Sequence, residues 1–425
     1  MTENHNREGI LDRESTASGT ALRTKPGGER LGVYVDTVVD ADHGDDSSVR
    51  TNAASLAFLT FVCEVGSDFS GLSIFARQSS DAGTDFPLPG GPVVAGLPYY
   101  PTLSPGALAT NAFATARAMW RHLDDVDHVW VFGPHPFGLL LVALARVRRR
   151  RVTLGVRQET LAYFASRMKP GARHAGVALA VRILDASWRL LSRRLPTTVV
   201  GAGNEKAYGG PRTGLYPMSV SLIRRRDLRP VGPRRELTEP IELLTVGRLS
   251  PEKNPMMLLD ALAMLHSRRP DRFRLTWVGD GELQPAVRDR VAELGLQGVV
   301  SLPGFVPIGH ELMEYYRRSD LFVLTSVTEG LPQVLIEAQA NALPIVATDV
   351  GGVGVVLDNG RAGALVPSGD PAALAESIDG LVTDSGRRAA LVSRGRELAE
   401  MRTLEETSAS TAAFLAAGTR QEAAA

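Results

Sequence analysis

The clearest sign of an α/β fold is the stretch Glu329-Gly330-Leu331-Pro332-Gln333-Val334-Leu335-Ile336-Glu337. It follows an apolar run, residues 320–325, which is bounded by polar residues and is typical of a buried parallel strand. Pro332 suits the first position of a helix. The stretch therefore predicts a strand-to-helix turn that places Glu329 at the carboxyl end of the strand, where open α/β sheets bind ligands.

The residue types in this turn suit a polar ligand. Gly330 allows a close approach of the backbone, and the amides at a helix start suit an anion or hydroxyl oxygens. Glu337 lies later on the predicted helix, where its carboxylate can accept hydrogen bonds from the hydroxyls of a ligand. The alternative is that Glu329 caps the helix and that Glu337 is a solvated surface charge.

A second turn follows the predicted strand 241–246 and reads Gly247-Arg248-Leu249-Ser250-Pro251-Glu252-Lys253-Asn254-Pro255. Asn254 is expected to cap the next helix and Pro255 to open it. Arg248 and Lys253 flank the turn, and two cations after a strand indicate a place for phosphate charge. Alternatively, Arg248 and Lys253 form a surface pair with Glu252.

The first of these turns resembles the paired-glutamate motif of the retaining glycosyltransferases of family four. The matching positions are Ser326, Glu329-Gly330, Pro332, Glu337-Ala338, Pro344 and Gly351-Gly352. The resemblance is strong from residue 246 to 367 and weak in the amino-terminal half. It implies the GT-B architecture, in which two Rossmann-like doubly wound α/β domains face each other across a cleft.

The resemblance also implies roles for individual residues. Arg248 and Lys253 hold the donor diphosphate and neutralise the departing nucleotide, without a metal ion. Glu329 and the amides of Gly330 and Leu331 hold the transferred sugar, whereas Pro332 has no amide hydrogen. Glu337 binds the ribose hydroxyls.

The same resemblance places the turn after the strand 299–302 beside the nucleotide base, so that Gly304 and Val306 are candidates for base recognition. Phe305, between them, is alternatively a core aromatic. Two positions depart from the family pattern. Ala342 stands where relatives usually have glycine, so that Asn341 is expected to adopt the left-handed conformation instead. Val355 stands where relatives commonly have glutamate.

The composition suits a globular protein of two or three domains: 425 residues, 44% hydrophobic and 22% charged. The zero net charge does not favour bulk attraction to nucleic acid. Cys63 is the only cysteine, which excludes an intrachain disulfide. No stretch predicts a transmembrane helix, and residues 1–30 lack the apolar core of a signal peptide. We therefore expect a cytoplasmic protein.

Alternating strand and helix patterns predict the domain boundaries. Residues 1–30 are expected to be a disordered tail and 31–225 an acceptor-side Rossmann-like domain. Residues 226–240 are rich in arginine and proline and are expected to be the linker. Residues 241–385 are expected to bind the nucleotide sugar, and 386–425 to form a carboxyl-terminal helix and tail.

Three sites in the amino-terminal half are candidates for acceptor chemistry. His135 follows the predicted strand 129–132 on a rigid turn, where it is expected to bind a sugar or assist proton movement; alternatively it satisfies its own loop. Arg157 and Gln158 end the next strand, although Arg157 alternatively pairs with Glu159. The polar loop with Asp45 and Asp46 replaces the glycine-rich loop usual in the resembled family, and binds acceptor hydroxyls or is only solvated.

Basic residues cluster in the amino-terminal half of this neutral chain. The clusters are Arg146, Arg148, Arg149, Arg150 and Arg151; Arg193-Arg194; and Arg224-Arg225-Arg226. Such clusters are usually solvated. They also suit an anionic membrane surface or an anionic lipid-linked acceptor.

The sequence thus predicts a retaining glycosyltransferase that uses a UDP- or GDP-linked sugar, with cell-envelope or exopolysaccharide assembly as the expected pathway. A sugar-nucleotide epimerase of the same architecture is an alternative, but it needs an acid and a base at the sugar, and no clear pair stands out beyond His135. An inactive binding module is a further alternative. No Gly-x-Gly-x-x-Gly turn follows the first strand, which disfavours a dinucleotide-dependent dehydrogenase.

Overall fold

The fold is described from a computed structural model of the 425-residue chain. The structure describes residues 28–41, 48–79, 84, 86–101, 104–157, 172–209, 214–232, 236–307 and 309–422. Gln158, the Asp45-Asp46 loop and most of the predicted amino-terminal tail lie outside these residues. The predicted domain boundaries stay predictions.

The amino-terminal sheet has the strand order β4-β2-β1-β6-β7-β8-β9, and β3 joins β1 to β5. Its strands are β1 (Arg30–Asp40), β2 (Arg50–Thr51), β3 (Gly71–Gln78), β4 (Phe86–Pro87), β5 (Val93–Leu97), β6 (His128–Gly133), β7 (Arg151–Val156), β8 (Thr197–Val200) and β9 (Leu215–Met218). The helices of this part are α1 (Ala53–Gly66), α2 (Pro105–His122), α3 (Pro136–Val147), α4 (Ala172–Ser192) and α5 (Ala202–Tyr208).

This sheet is parallel, as predicted, except for the two short strands β2 and β4. β1 pairs in parallel with β3 and β6, whereas β2 runs antiparallel to the end of β1 and β4 runs antiparallel to β2. Only residues 41–49 separate β1 from β2, which is too short for the crossover that a parallel pair requires. Tyr34, Ile74 and Trp130 are buried at the centre of the sheet.

The carboxyl-terminal sheet is entirely parallel, with the strand order β12-β11-β10-β13-β14-β15. Its strands are β10 (Ile241–Val246), β11 (Phe273–Val278), β12 (Val300–Gly304), β13 (Leu321–Leu324), β14 (Ile345–Thr348) and β15 (Ala364–Val366). Its helices are α6 (Pro255–Arg268), α7 (Gln284–Glu293), α8 (His310–Arg318), α9 (Gln333–Ala340), α10 (Val353–Val356), α11 (Pro371–Thr383), α12 (Ser385–Glu400) and α13 (Leu404–Glu422).

The strand order of this second sheet reverses between β10 and β13. The chain proceeds outward from β10 through β11 to β12, and then returns to lay β13 on the other side of β10. Such a reversal opens a crevice at the carboxyl ends of the two strands, where ligands of open α/β sheets bind. The two predicted turns, 247–255 and 329–337, follow these two strands.

The last helix, α13, packs against β9 and the segment after it. The ring of Phe414 stacks on Tyr216 with centroids 4.7 Å apart. The Leu404 amide donates to the Ile223 carbonyl at 2.7 Å, and Arg225 pairs with Glu406. These contacts join a helix at the end of the chain to the last strand of the first sheet. The helix continues to Glu422.

The motif helix α9 differs from the sequence prediction at both ends. It begins at Gln333, and Pro332 precedes it as the N-cap residue instead of occupying the first helical position. At its other end Asn341 is not left-handed (φ −89°), and Ala342 adopts the positive φ of 56° itself. The Leu343 amide donates to the Ala338 carbonyl, and the Ala342 amide donates to the Gln339 carbonyl. This is the Schellman arrangement, which normally has glycine where Ala342 stands.

We expect Ala342→Gly to raise the free energy of unfolding by about 1 kcal/mol, because the left-handed conformation is strained for a residue with a Cβ. Urea titration measures the change. Ala340→Gly, two residues earlier inside the helix, is the matched control and should lower the free energy of unfolding by about 1 kcal/mol. A loss of stability in Ala342→Gly would show that the left-handed backbone of Ala342 is not strained.

Candidate functional site

The turns after β10 and β13 are joined by hydrogen bonds at the carboxyl edge of the second sheet. The Thr325 hydroxyl donates to the Lys253 carbonyl at 3.0 Å, and the Val327 amide donates to the Glu252 carbonyl at 2.9 Å. The Thr348 hydroxyl, at the end of β14, donates to the Ser326 carbonyl at 2.6 Å. The segments at the carboxyl ends of three neighbouring strands are therefore held in place by hydrogen bonds to one another.

A hydrogen-bonded ion pair links the two turns through their side chains. Lys253 Nζ donates to Glu329 Oε1 at 2.6 Å, and the buried Ser326 hydroxyl donates to the same oxygen at 2.6 Å. Both members of the pair are largely shielded from solvent, with side-chain exposures of 20% for Lys253 and 10% for Glu329. Glu329 therefore does not act as a simple helix cap, because its carboxylate is held by two side chains.

Gly351 and Gly352 pack their backbone against the Glu329 turn. A Cβ on Gly351 would lie 2.0 Å from the Glu329 carbonyl oxygen, and one on Gly352 would lie 1.8 Å from that of Gly330. Gly351 also has a φ of 51°, and the Gly352 amide donates to the Glu329 carbonyl at 3.1 Å. Both glycines are thus required for the close backbone contact that supports Glu329.

Arg248 is exposed and pairs with Glu252 four residues later, with 2.8 Å between Nη2 and Oε1. Burial acts to raise the pKa of Glu252, but its own backbone amide, the nearby Ser250 and the cations Arg248 and Lys253 lower it overall. Glu252 is therefore ionised at neutral pH. The structure thus shows Arg248 in the alternative arrangement, a surface pair with Glu252. The role of Arg248 in diphosphate binding stays a prediction.

The predicted positions of the cap and the start of α6 are confirmed, because Asn254 is the N-cap residue and Pro255 begins the helix, but the capping hydrogen bond is not formed. Asn254 stands directly before the helix, but it is left-handed (φ 48°) and its side chain makes no capping hydrogen bond. A short 3₁₀ turn over residues 251–253 precedes it, and the left-handed residue redirects the chain from this turn into the helix. Asparagine tolerates this conformation better than most residues.

Glu337 is not a solvated surface charge. It is buried on α9, where Glu337 Oε2 accepts a hydrogen bond of 2.6 Å from the hydroxyl of Tyr316 on α8. Burial raises the pKa of the Glu337 carboxyl, and the Tyr316 hydrogen bond opposes this rise. Burial and the adjacent carboxylate also raise the pKa of Tyr316 well above its usual range.

The base-site candidates have different environments. Gly304 ends β12 with a φ of 88°, and its carbonyl accepts from the Gly279 amide at 2.8 Å. The Val306 side chain is buried in a core cluster, which leaves only its backbone for recognition. Phe305 between them is exposed, so the prediction of a core aromatic is wrong. Its exposed ring is a further candidate for contact with a base.

The remaining candidates differ in how far they are exposed to solvent. Gly330 is exposed, Leu331 is half-buried and Pro332 is buried in the motif turn. His135 is buried in the short connection between β6 and α3. Arg157 is exposed directly after β7. Gln158 and Glu159, its alternative partner, are outside the described residues.

Two contributors to the site were not predicted. Ser326 was noted only as a motif position, and no feature of the sequence connects Tyr316 to Glu337. The two residues are 21 positions apart, on different helices that flank β13. Only the packing of α8 beside α9 brings them together.

Residues 233–398 match the family model of the glycosyl transferases group 1. The matched range contains both turns, the Lys253–Glu329 pair and Glu337. The group 1 match thus confirms the coarser part of the predicted resemblance.

Two groups of relatives share part of the chain. It is 38% identical over 282 residues to the D-inositol 3-phosphate glycosyltransferase of Thermobispora bispora, covering 60% of this chain and 61% of that protein. It is 32% identical over 148 residues to the amylovoran biosynthesis glycosyltransferase AmsK of Erwinia amylovora, covering 33% of this chain and 36% of AmsK. The chain thus aligns with less than two thirds of each relative.

Comparison with solved structures confirms the predicted fold class. HepE from Anabaena, crystallised in complex with UDP and glucose, aligns over 92% of this chain and 100% of its own with a TM-score of 0.62 and 18% identity. The protein therefore has the two-domain α/β fold of GT-B glycosyltransferases, with parallel sheets.

The burial of Glu337 predicts a specific pH dependence. We expect wild-type stability, relative to Glu337→Gln, to be greatest below the ordinary glutamate pKa of 4.5 and to fall as the pH rises towards the raised pKa of the folded state. In that window the unfolded chain ionises first, so the difference falls by about 1.4 kcal/mol per pH unit.

Urea titrations of both proteins at a series of pH values measure this difference. The same substitution at the exposed Glu311, on the neighbouring helix α8, is the control. If the difference between wild type and Glu337→Gln stays constant between pH 4 and pH 8, burial does not control the ionisation of Glu337.

Proposed function

We propose that this protein is a retaining glycosyltransferase that moves a sugar from a nucleotide-sugar donor to an acceptor. The observation that carries the proposal is the Lys253–Glu329–Ser326 cluster at the topological switch point of the group 1 domain. This is the position where an open α/β sheet binds its ligand. A cation and a carboxylate side by side there suit a ligand that joins a diphosphate to a sugar.

In the proposed complex the donor diphosphate lies beside Lys253 and Arg248, which stabilise the negative charge that grows as the diphosphate leaves. Glu329 and the amides of Gly330 and Leu331 bind the sugar hydroxyls. Ser326 positions the Glu329 carboxylate, and Lys253 is partly shielded from solvent before the donor arrives. The charges are thus held in place before the reaction, which lowers the reorganisation it requires.

The proposed role of Glu337 is to accept hydrogen bonds from the ribose hydroxyls. Tyr316 occupies its Oε2 atom, which fixes the orientation of the carboxylate and leaves Oε1 for a ligand hydroxyl. A buried carboxylate forms stronger hydrogen bonds than an exposed one, because water competes less for it.

We propose front-face attack as the route to retention. The acceptor hydroxyl approaches the sugar carbon on the side that the diphosphate leaves, and a diphosphate oxygen takes its proton. The carbon–oxygen bond to the acceptor forms as the bond to the diphosphate breaks, so no enzymic nucleophile is needed. Arg248 and Lys253 stabilise the negative charge of the leaving group, and no step of this mechanism uses a metal ion.

The comparisons support particular substrates. The UDP in the HepE complex favours a UDP-linked donor, and AmsK, named for amylovoran biosynthesis, favours assembly of an extracellular or cell-envelope glycan. The relative named D-inositol 3-phosphate glycosyltransferase makes a small phosphorylated acceptor a second candidate. We favour the glycan, with His135 and Arg157 as candidate acceptor residues.

The activity is tested by incubating the protein with a panel of UDP- and GDP-sugars and measuring release of the nucleotide diphosphate. We expect Lys253→Ala to reduce turnover about 100-fold, and Arg248→Ala by less because Arg248 is more exposed. Arg290→Ala, which removes a partly exposed, ion-paired arginine from α7, should leave turnover unchanged. Normal turnover in Lys253→Ala at an unchanged melting temperature would overturn the assignment.

The two motif glutamates are expected to behave differently. Glu337→Gln removes a charged acceptor, and hydrogen bonds to charged groups contribute about 1.5–3 kcal/mol, so binding of free UDP should weaken at least tenfold. Glu329→Gln should abolish turnover but leave the affinity for free UDP nearly unchanged, because Glu329 is placed at the sugar. Isothermal calorimetry with UDP and steady-state rates measure both. If Glu329→Gln loses affinity for UDP and Glu337→Gln does not, the proposed orientation of the donor in the site is reversed.

A further inference from the structure

A pocket of about 390 Å³ opens at the amino edge of the carboxyl-terminal sheet, where β13 and β14 begin. Its lining consists of residues 229–232, Leu237, residues 319–320, residues 341–344 and four residues of α12. All of them belong to the same compact unit of the chain. The Lys253–Glu329 pair lies at the opposite, carboxyl edge of this sheet. The pocket is therefore distinct from the candidate donor site.

The walls of the pocket are mostly apolar. The apolar side chains in the lining include Pro230, Val231, Leu237, Leu343, Pro344 and Val392. A concave site of this volume, with apolar walls and few polar groups, is typical of sites that bind small molecules. The walls favour a ligand with an apolar body, because its burial removes apolar surface from water.

Asn341 supplies a polar atom that is not used within the described part of the protein. Its side chain is buried, with 1% exposed, and Nδ2 donates to the Glu337 carbonyl at 2.8 Å. Because a carbonyl oxygen can only accept, this contact identifies the nitrogen and leaves Oδ1 as the other polar atom. Oδ1 accepts no hydrogen bond from the residues that the structure describes. A buried acceptor of this kind is unfavourable until a donor reaches it.

The next residue in the lining adds a second unfavourable feature. Ala342 adopts a φ of 56°, which is strained for a residue with a Cβ. The strained backbone and the unbonded Oδ1 of Asn341 are therefore adjacent in one corner of the pocket. Such features are concentrated at functional sites, where they serve ligand binding.

The charged groups in the lining favour a neutral ligand. Arg388 and Asp320 are both buried. Arg388 Nη1 donates to two carbonyls of α11 at 2.7 Å each, and Asp320 Oδ2 accepts from the Glu242 amide at 3.0 Å. A cationic ligand would meet the buried charge of Arg388, and an anionic ligand would meet that of Asp320. Arg229 also lines the pocket, but it is exposed and water screens its charge.

We propose that this pocket binds a small neutral molecule with an apolar body and one N–H or O–H group. The N–H or O–H group donates to Asn341 Oδ1, and the body packs against the apolar walls. The site goes beyond the proposed function, because binding there requires neither a sugar donor nor transfer.

The test compares two probes of similar shape. Indole carries an N–H donor on an apolar double ring, and benzofuran has an oxygen in place of the N–H. Titration of the full chain with each probe, followed by ligand-observed NMR, gives the two dissociation constants. We expect indole to bind about tenfold more tightly, because only indole donates a hydrogen bond to Asn341 Oδ1.

Matched substitutions on α12 locate the bound probe. Ala389 lines the pocket, and Ala389→Phe should weaken indole binding at least about tenfold because the new ring fills the space. Ala390 is exposed and lies outside the lining, so Ala390→Phe should bind indole like the wild type. Asn341→Leu keeps the size of the side chain but removes Oδ1. This variant should bind indole and benzofuran equally well.

Three results would overturn the inference: the wild type binds neither probe, the wild type binds both equally well, or Ala390→Phe weakens binding as much as Ala389→Phe. The first two results are obtained without any variant. Lys253→Ala should bind indole like the wild type, and a loss of binding there would place indole in the donor site instead. A chain that binds indole as expected but transfers no sugar would refute the proposed function alone.

Discussion

The ion pair between Lys253 and Glu329 is the contact on which the site depends. The two charges come from turns 76 residues apart in sequence, yet they meet at 2.6 Å. Partly buried charges are costly unless they are paired and hydrogen-bonded, so this geometry requires accurate placement of both turns. Thr325, Thr348 and the Gly351-Gly352 segment provide that placement through backbone contacts.

Glu337 follows a different physical rule. Its neighbours Ile336 and Ala338 belong to an apolar core cluster, and the hydroxyl of Tyr316 compensates the buried carboxylate for the lost water. Burial raises the pKa of such a carboxyl group, and its ionisation destabilises the folded chain. A buried carboxylate of this kind is unfavourable for stability alone, which supports a role in ligand binding.

At the protein surface, the position of charged and apolar side chains differs from what the sequence clusters suggest. Carboxylates balance most of the clustered arginines, so that charge runs in the sequence become ion pairs in the structure. Apolar residues on α4 and α2, among them Leu179, Ile183 and Phe113, remain exposed. The inward orientation of Asp185 decides which side of α4 faces out.

The sequence by itself determined the alternation of strands and helices, the parallel sheets, and the two turns that carry Arg248, Lys253 and Glu329, because these follow from local periodicity and from proline and glycine positions. It did not predict the left-handed Ala342 or Asn254, which stand at the Schellman end of α9 and between the 3₁₀ turn and α6. Only the tertiary structure decided that Tyr316 holds Glu337, that Lys253 pairs with Glu329, and that most of the clustered arginines form ion pairs. Each of these contacts joins residues from different elements, and local pattern carries no information about which elements pack together.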